Sequence, residues 1–578
     1  MTEPRTAPPA RAAVVASWAA LLGALAAHAV SFYALLLAGP EPLADGDEMF
    51  TAINAVLVAA GGSPSLIRWQ LLPACGGCAV QTAAAIGLFS VLPAQLWVWK
   101  LLPLVSSGAV VVAAWLLGRR MGGALPAAVG AGLIALAPPF YRQDAVLGYA
   151  THLEMMFFVL CALLAWDRAW RSEGRRAVAL LGLVLGFAAF FSYASLFAAP
   201  VLLALLALRR RGLPGRRSDL GALGVGLLPG LGLWLLLRAM PYFPGHGLGL
   251  EIYAEPFSGH AEAALSWADR LAPLVGASWW GGMVGGADHP AWLGPLYAGA
   301  QWTALLGALV LAGFALTRRG LGPTPPWALV ATLLLLAYTA AWAVMAPSLP
   351  EWPPTLLGYG RLRYWLPFVG LHTVLVLSLL SAGPGRGRRL SRTLGGAAAA
   401  ILLVVGAAGV GRDVGASSWD RRGLALPAGY DTWVQIPLEQ LPVLGGFAQW
   451  PADPDLALGV RPGFPLARRL ALYRMGREFG WQAGEELPPQ DAAEAGAWAC
   501  ALPVNDRRAF LIGTLEGRRQ RPLWQTAATP PDGVDPVLAG LARWLSADGY
   551  DDLVAMAHER EPQAELDGSD PSARGPAA

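Results

Sequence analysis

The chain has 578 residues, of which 55% are hydrophobic and 14% are charged, with a net charge of +3 and a mean hydropathy of +0.47. Soluble domains usually carry about 25% charged residues, so this composition excludes an ordinary soluble enzyme. Many apolar blocks reach the ~20 residues that a transmembrane helix needs. We therefore predict an all-α polytopic membrane protein, and we expect no nucleic acid among its partners.

The apolar blocks predict roughly eleven transmembrane helices. The first is too long for the core of a signal peptide and lacks a convincing cleavage site, so we interpret it as a retained span. The boundary between Phe191 and Ser195 is the least distinct of the set. In chain order the segments lie near residues 13–38, 95–117, 122–139, 150–167, 177–191, 194–208, 219–239, 293–317, 326–346, 364–382 and 394–411.

The arginines predict the orientation, because short cytoplasmic loops are enriched in positive charge. With the N-terminus inside, the short inner loops contain Arg119, Arg120, Arg168, Arg171, Arg175, Arg176, Arg209, Arg210, Arg211, Arg216, Arg217, Arg318, Arg319, Arg386, Arg388, Arg389 and Arg392. The longer outer loops contain only Arg68, Arg142, Arg238, Arg270, Arg361 and Arg363.

This orientation predicts the domain organisation. Residues 1–411 form the membrane domain, with long outer loops at 40–94 and 240–292. Residues 412–560 are polar and Pro-rich, and we expect them to form a small extracytoplasmic α+β domain. Residues 561–578 have the composition of a disordered tail. Eleven spans that start from an inner N-terminus place the C-terminus outside.

An acidic segment follows the first predicted span in the stretch LLLAGPEPLADGDEMFTAI, residues 35–53. Asp45, Asp47 and Glu48 lie close to the lipid, where ionisable groups are costly unless they are solvated or used. Desolvation and neighbouring carboxylates raise the pKa of such a group, which suits a general base. Adjacent acids can also hold a divalent cation. The alternative is a solvated acidic loop.

Two further clusters are predicted on the same side. In GYATHLE, His152 and Glu154 open a span, either as part of a site or as a capped helix N-terminus with an acid favoured by the helix dipole. In YGRLRYWLPF, Arg361 and Arg363 could bind phosphate. The alternative there is interfacial anchoring, for which Tyr364 and the adjacent tryptophan are also suited.

The CGGC stretch contains Cys75 and Cys78. One such pair without a nearby histidine makes a poor zinc site. We expect either a neutral role or, because the loop is predicted to be extracytoplasmic, a disulfide.

Taken in order, these motifs resemble the GT-C superfamily of glycosyltransferases that use polyprenyl-phosphate sugars, including relatives of protein O-mannosyltransferases and aminoarabinose lipid A transferases. DGDEMFTAINAVLVAAGG resembles the acidic pair and the helix that follows it. WQLLPACGGCAVQTAAAIGLF (69–89) and ALPAAVGAGLIALAPPF (124–140) are similar to the next parts. RLRYWLPF is similar to a late arginine–tyrosine segment. The chain departs from the pattern at Cys75, where a tyrosine is usual, and at Val80 or Gln81, where an acid is usual.

The resemblance implies a mechanism and a location. Asp47 would deprotonate the acceptor, which attacks the anomeric carbon with inversion, while Glu48 or Asp45 orients it or helps to bind a metal. The departing phosphate would be stabilised by Arg361 or Arg363. Donor contacts would come from Tyr364, His152, Glu154 and Gln70. The implied setting is a bacterial inner membrane with the site facing the periplasm, a lipid-linked donor, and a lipid, glycan or protein acceptor.

Two other functions fit a polytopic chain. A lipid or glycan transporter is the first, although such proteins often have charged or broken helices at mid-membrane and internal repeats, and no repeat is visible here. The second is a catalytically inactive membrane protein of envelope assembly. No cofactor is implied beyond a possible divalent metal ion.

Overall fold

The protein is described by a computed structural model that covers residues 11–36, 76–92, 96–148, 152–172, 174–211, 216–239, 292–317, 325–345, 366–382 and 388–416, together with Ala52 and Ala55. The chain divides into two compact units. The first comprises residues 1–44, 71–84 and 95–425, and the second comprises residues 45–70, 85–94 and 426–578. Apart from residues 85–92, Ala52 and Ala55, the described residues belong to the first unit.

The described residues form helices and short turns, without a strand. A 3₁₀ turn, Tyr193–Phe197, separates the seventh and eighth helices. The helices are α1 Arg11–Leu36, α2 Gly76–Val91, α3 Leu96–Gly122, α4 Ala124–Ala135, α5 Pro139–Leu147, α6 His152–Arg171, α7 Arg175–Phe191, α8 Ala198–Arg209, α9 Arg216–Ala239, α10 Leu293–Thr317, α11 Trp327–Met345, α12 Leu366–Leu380 and α13 Arg388–Ala416.

Every predicted apolar segment contains a helix, and several long apolar helices fit a multi-pass membrane protein. Within the described ranges, five helices are long and apolar enough to cross a bilayer. The number is six if α4 and α5, bent by 72° at residues 136–138, form one broken span. The other helices are shorter or more charged, so membrane crossing by all eleven segments stays a prediction.

Glycines allow close packing of α7 against α9. A Cβ on Gly226 would lie 2.1 Å from the Ala179 carbonyl oxygen, and one on Gly230 would lie 2.0 Å from the Gly186 carbonyl carbon. Small residues four apart give this backbone-to-backbone approach in membrane helices, where van der Waals packing drives association. The opposite face of α9 is rich in exposed leucines, which suits contact with lipid.

Side-chain contacts define the two ends of the bundle. On α1 and α3, Ser17 meets Trp115 and His28 meets Ser107, so these helices are antiparallel. On α3 and α6, Ser106 interacts with Glu154 and Arg120 with Asp167, so these helices are parallel. We call one end the polar end, formed by His28, Ser31, Ser107, Tyr141, Arg142, Glu154 and Asp413. The other is the arginine end, formed by Arg120, Asp167, Arg171 and Arg210.

The structure corrects one feature of the sequence interpretation. Residues 139–147, which lie almost entirely between the predicted spans 122–139 and 150–167, form the helix α5. Pro139 occupies a first-turn position, where its missing N–H costs nothing, and Gly148 ends the helix in the left-handed region at φ 62°. The segment assigned to the outer loop 40–94 also contains α2. The predicted C-terminal α+β domain lies outside the described residues.

Candidate functional site

Most of the predicted site residues lie outside the described ranges. These are Asp45, Asp47, Glu48, Gln70, Arg361, Arg363 and Tyr364. His152 is placed only as the first residue of α6, without an account of its side chain. Glu154 is therefore the one predicted site residue whose side-chain surroundings are described, and the structure does not test whether the others come together.

Glu154 lies in the first turn of α6, at the polar end, and is 6% exposed. Its carboxylate interacts with Ser106 of α3. Its Oε2 atom has no hydrogen-bond partner among the described residues. A buried carboxylate oxygen without a hydrogen-bond partner lowers the stability of the folded protein. A helix-capping role alone therefore does not account for Glu154.

His28 of α1 forms a second part of the polar end. Its Nε2 lies 2.7 Å from the Ser107 hydroxyl oxygen, which is itself 2.7 Å from the Pro103 carbonyl oxygen. Because a hydroxyl has one hydrogen to donate, Ser107 donates to Pro103 and accepts from His28 Nε2–H. This assignment leaves Nδ1 as a buried acceptor, and it has no partner in the described part of the chain.

Arg142 of α5 connects three separate segments. Its Nε donates to the Ala137 carbonyl oxygen at 2.8 Å, and one terminal nitrogen, Nη1, donates to Ser31 at 2.8 Å and forms an ion pair with Asp413. The side chains of Arg142 and Asp413 are 2% and 4% exposed. The other terminal nitrogen, Nη2, has no described partner and lies against Gly409, where a Cβ would be only 2.6 Å away.

Tyr141 and Asp144 are further buried polar residues of α5. Tyr141 is fully buried, and its hydroxyl, which has no described hydrogen-bond partner, lies within electrostatic range of Asp144 and Glu154. The Nζ atom of Lys100 donates to the Val146 carbonyl oxygen at 2.9 Å. That carbonyl is in the last turn of α5, where carbonyls lack intrahelical partners and a cation is favourable.

The polar end thus contains four buried polar groups with an atom that no described residue satisfies. His28 and Glu154 offer acceptors, Arg142 offers a donor, and the Tyr141 hydroxyl can act as either. Buried polar atoms are nearly always satisfied, so such a group calls for water or a ligand. The acceptors suit hydroxyl groups, and the Arg142 donor suits an anionic oxygen. Among the described residues, no three metal-binding side chains come together.

Sequence reasoning missed most of this cluster. It counted Arg142 only as an outer-loop charge and did not consider His28 or Asp413. One usable signal was Lys100, which is the only lysine in the chain and which is 1% exposed. Another was the polar stretch between Pro139 and Gly148, which lies beside two apolar segments.

The cysteines agree in part with the sequence expectation. Cys78 in α2 is disulfide-bonded, whereas Cys161 in α6 is free and half-buried. The structure does not describe the partner of Cys78.

No family model and no curated protein matches the sequence. Two solved structures of the oligosaccharyltransferase of Archaeoglobus fulgidus are similar to the fold. The apo form shows 14% identity and a TM-score of 0.43, covering 75% of this chain and 61% of that one. The form tethered to an acceptor peptide with the NVT sequon shows 14% identity and a TM-score of 0.39, covering 68% and 55%. The chain thus spans less than two thirds of their length, and likeness at this level identifies neither its family nor its activity.

Proposed function

We propose that this protein is a membrane glycosyltransferase that transfers a sugar from a polyprenyl-phosphate donor to an extracytoplasmic acceptor. The observation that supports the proposal is the polar end, where a buried arginine, phenol, imidazole and carboxylate each have one polar atom that no described residue satisfies. A sugar phosphate presents the complementary groups, namely hydroxyls for Glu154 and His28 and anionic oxygens for Arg142.

In the sequence, the proposed catalytic acids follow the helix that contains His28 and Ser31. His28 and Ser31 occupy the last turns of α1, which ends at Leu36, and Asp45, Asp47 and Glu48 follow within the next twelve residues. In the proposed reaction Asp47 removes the proton of the acceptor nucleophile, which attacks the anomeric carbon while the bond to the phosphate oxygen breaks. Inversion follows from this single displacement.

The other predicted residues take supporting roles in this proposal. Glu48 or Asp45 orients the acceptor or holds a divalent metal ion. Arg361 or Arg363 stabilises the negative charge that develops on the departing phosphate. Tyr364, His152 and Gln70 contact the donor. The reaction takes place on the side away from the arginine-rich loops, which is the periplasmic side of a bacterial inner membrane.

The test is sugar transfer by the purified protein. Wild type, Asp47→Asn and Asp45→Asn are mixed with radiolabelled polyprenyl-phosphate sugars and an envelope lipid extract. Glu41→Gln serves as the matched control, because it removes one carboxylate from the same segment outside the proposed site. We expect transfer by wild type and the control, and donor binding without transfer by Asp47→Asn.

The other outcomes separate the alternatives. Loss of transfer in Asp45→Asn alone would assign the base to Asp45. Donor binding with no transfer of any sugar by wild type would contradict the enzyme proposal and favour a transporter or an inactive binder. Accumulation of a labelled substrate inside reconstituted vesicles would then identify the transporter.

A further inference from the structure

A buried carboxylate orients two arginines at the arginine end of the bundle. Asp167 of α6 is fully buried, and its two oxygens accept from different helices. Oδ2 accepts from Arg120 Nε of α3 at 3.2 Å, and Oδ1 accepts from Arg171 Nε of α6 at 2.8 Å. One carboxylate therefore holds two guanidinium groups side by side.

Both arginines use only the inner nitrogen of the guanidinium. Their side chains are 53% and 42% exposed, and within the described residues neither makes another hydrogen bond through its terminal nitrogens, Nη1 and Nη2. The Nη1 and Nη2 atoms of Arg120 and Arg171 thus remain available, while the Nε atom of each guanidinium is held by Asp167. The terminal N–H donors of two such guanidinium groups can bind the oxygens of one phosphate.

The surrounding charge favours an anion. Arg119 precedes Arg120 in the sequence, Arg168 follows Asp167, and both side chains are exposed. The Arg119 guanidinium lies 5.3 Å from the ring centre of Trp115. In the described part of the chain, Asp167 is the only carboxylate that pairs with any of these four arginines. The cluster therefore has a net charge of about +3.

The position of the cluster indicates which anion it meets. Arg120 lies in the last turn of α3, whose apolar span ends at Gly122. Arg171 ends α6. Side chains at the end of an apolar span lie at the level of the lipid headgroups, where anionic lipids attract basic residues.

We propose that Arg120 and Arg171, oriented by Asp167, bind the phosphate of an anionic phospholipid in the leaflet opposite the proposed catalytic side. The site differs from the polar end, and it does not depend on the proposed glycosyltransferase activity. Orientation by Asp167, in addition to charge, makes the site selective, and this gives the proposal its sharpest test.

The experiment measures bound lipid by native mass spectrometry of the full chain in detergent. The probes are phosphatidylglycerol, phosphatidylcholine and free glycerol phosphate. We expect wild type to bind phosphatidylglycerol saturably. In the double variant Arg120→Gln/Arg171→Gln this binding should weaken roughly tenfold or more, because the charged N–H donors of both guanidinium groups are lost. Arg389→Gln/Arg392→Gln on α13 is the matched control, since both residues are exposed and unpaired in the described structure, and we expect its binding to be unchanged.

Asp167→Asn separates orientation from charge. This variant increases the net positive charge, so a diffuse electrostatic attraction predicts stronger binding, whereas the proposed site predicts weaker binding. The double variant Arg120→Lys/Arg171→Lys retains the positive charge and the counter-ions of Asp167 but lacks the paired N–H donors of the guanidinium groups. We expect weaker binding by this variant as well. Thermal unfolding of each variant identifies those that are folded, and only folded variants are compared.

Three results would overturn the proposal. Stronger lipid binding in folded Asp167→Asn would show that charge alone attracts lipid. Equal loss in the α13 control would show the same. Equal binding of free glycerol phosphate and phosphatidylglycerol would show an anion site that does not recognise lipid.

Discussion

The contact between α7 and α9 predicts opposite effects for two alanine substitutions on one helix. A Cβ on Gly230 would lie 2.0 Å from the carbonyl carbon of Gly186 and 2.3 Å from the Phe187 nitrogen. A Cβ on Gly232, two residues further along α9, would meet nothing within 4 Å. The two variants therefore add the same methyl group to the same helix on different faces.

The expected magnitude follows from the backbone distances. Carbon atoms pack at about 3.5 Å, so Gly230→Ala requires the helices to separate locally by about 1.5 Å. A gap of 0.5–1 Å already forfeits about a quarter to a half of each atom-pair attraction. Backbone atoms cannot rotate away, so we expect a loss of about 2–3 kcal/mol in the free energy of unfolding. Gly232→Ala should instead gain up to about 1 kcal/mol from helix propensity.

The measurement is unfolding by SDS in mixed micelles, followed by tryptophan fluorescence. We expect Gly230→Ala to unfold at a lower SDS fraction than wild type and Gly232→Ala to unfold at the same or a higher fraction. If the two variants unfold together, the close contact between α7 and α9 is not a source of stability, and the reasoning fails.

Three further predictions concern the buried groups. Asp413→Asn should lower the free energy of unfolding by about 3–5 kcal/mol, because it leaves Arg142 buried without a counter-charge. The double variant Asp413→Asn/Arg142→Gln should lose less free energy of unfolding than the sum of the two single variants. Simple additivity would refute the coupling between Arg142 and Asp413. Glu154→Gln should leave the melting temperature unchanged or raise it, because it removes a buried carboxylate with an unsatisfied oxygen, while lowering sugar transfer; a clear fall in melting temperature would make this acid structural. In native micelles, mass spectrometry after alkylation should find Cys161 labelled slowly and Cys78 labelled only after reduction, and labelling of Cys78 without reductant would contradict its disulfide.

The positions of the helices could be predicted from the sequence because apolar runs are a local property. The segment predicted at 293–317 is α10, Leu293–Thr317. The uncertain boundary near Phe191 is a real break, since Ser192 is extended at φ −153° and ψ 112° and a 3₁₀ turn follows it. In both cases the information lies within one turn of the residues concerned.

The site was less predictable because its contacts are distant in sequence. Glu154 could be identified from its place at the start of an apolar run. Arg142 could not, because its partners Ser31 and Asp413 are 111 and 271 residues away. The polarity of residues 140–147 placed them between two predicted spans, whereas in the structure they belong to a helix whose Arg142 contacts α1 and α13.

The pairing of Arg142 with Asp413 also constrains how the chain is made. During synthesis α5 emerges early, but its guanidinium gains its counter-charge only when residue 413, far downstream, has been translated. Until then the growing chain holds a cation without its counter-charge, and burying such a cation lowers stability. Assembly of the polar end is therefore a late event in biogenesis, and a chain released before α13 is complete would reach the membrane with its helices in place but with this end unfinished.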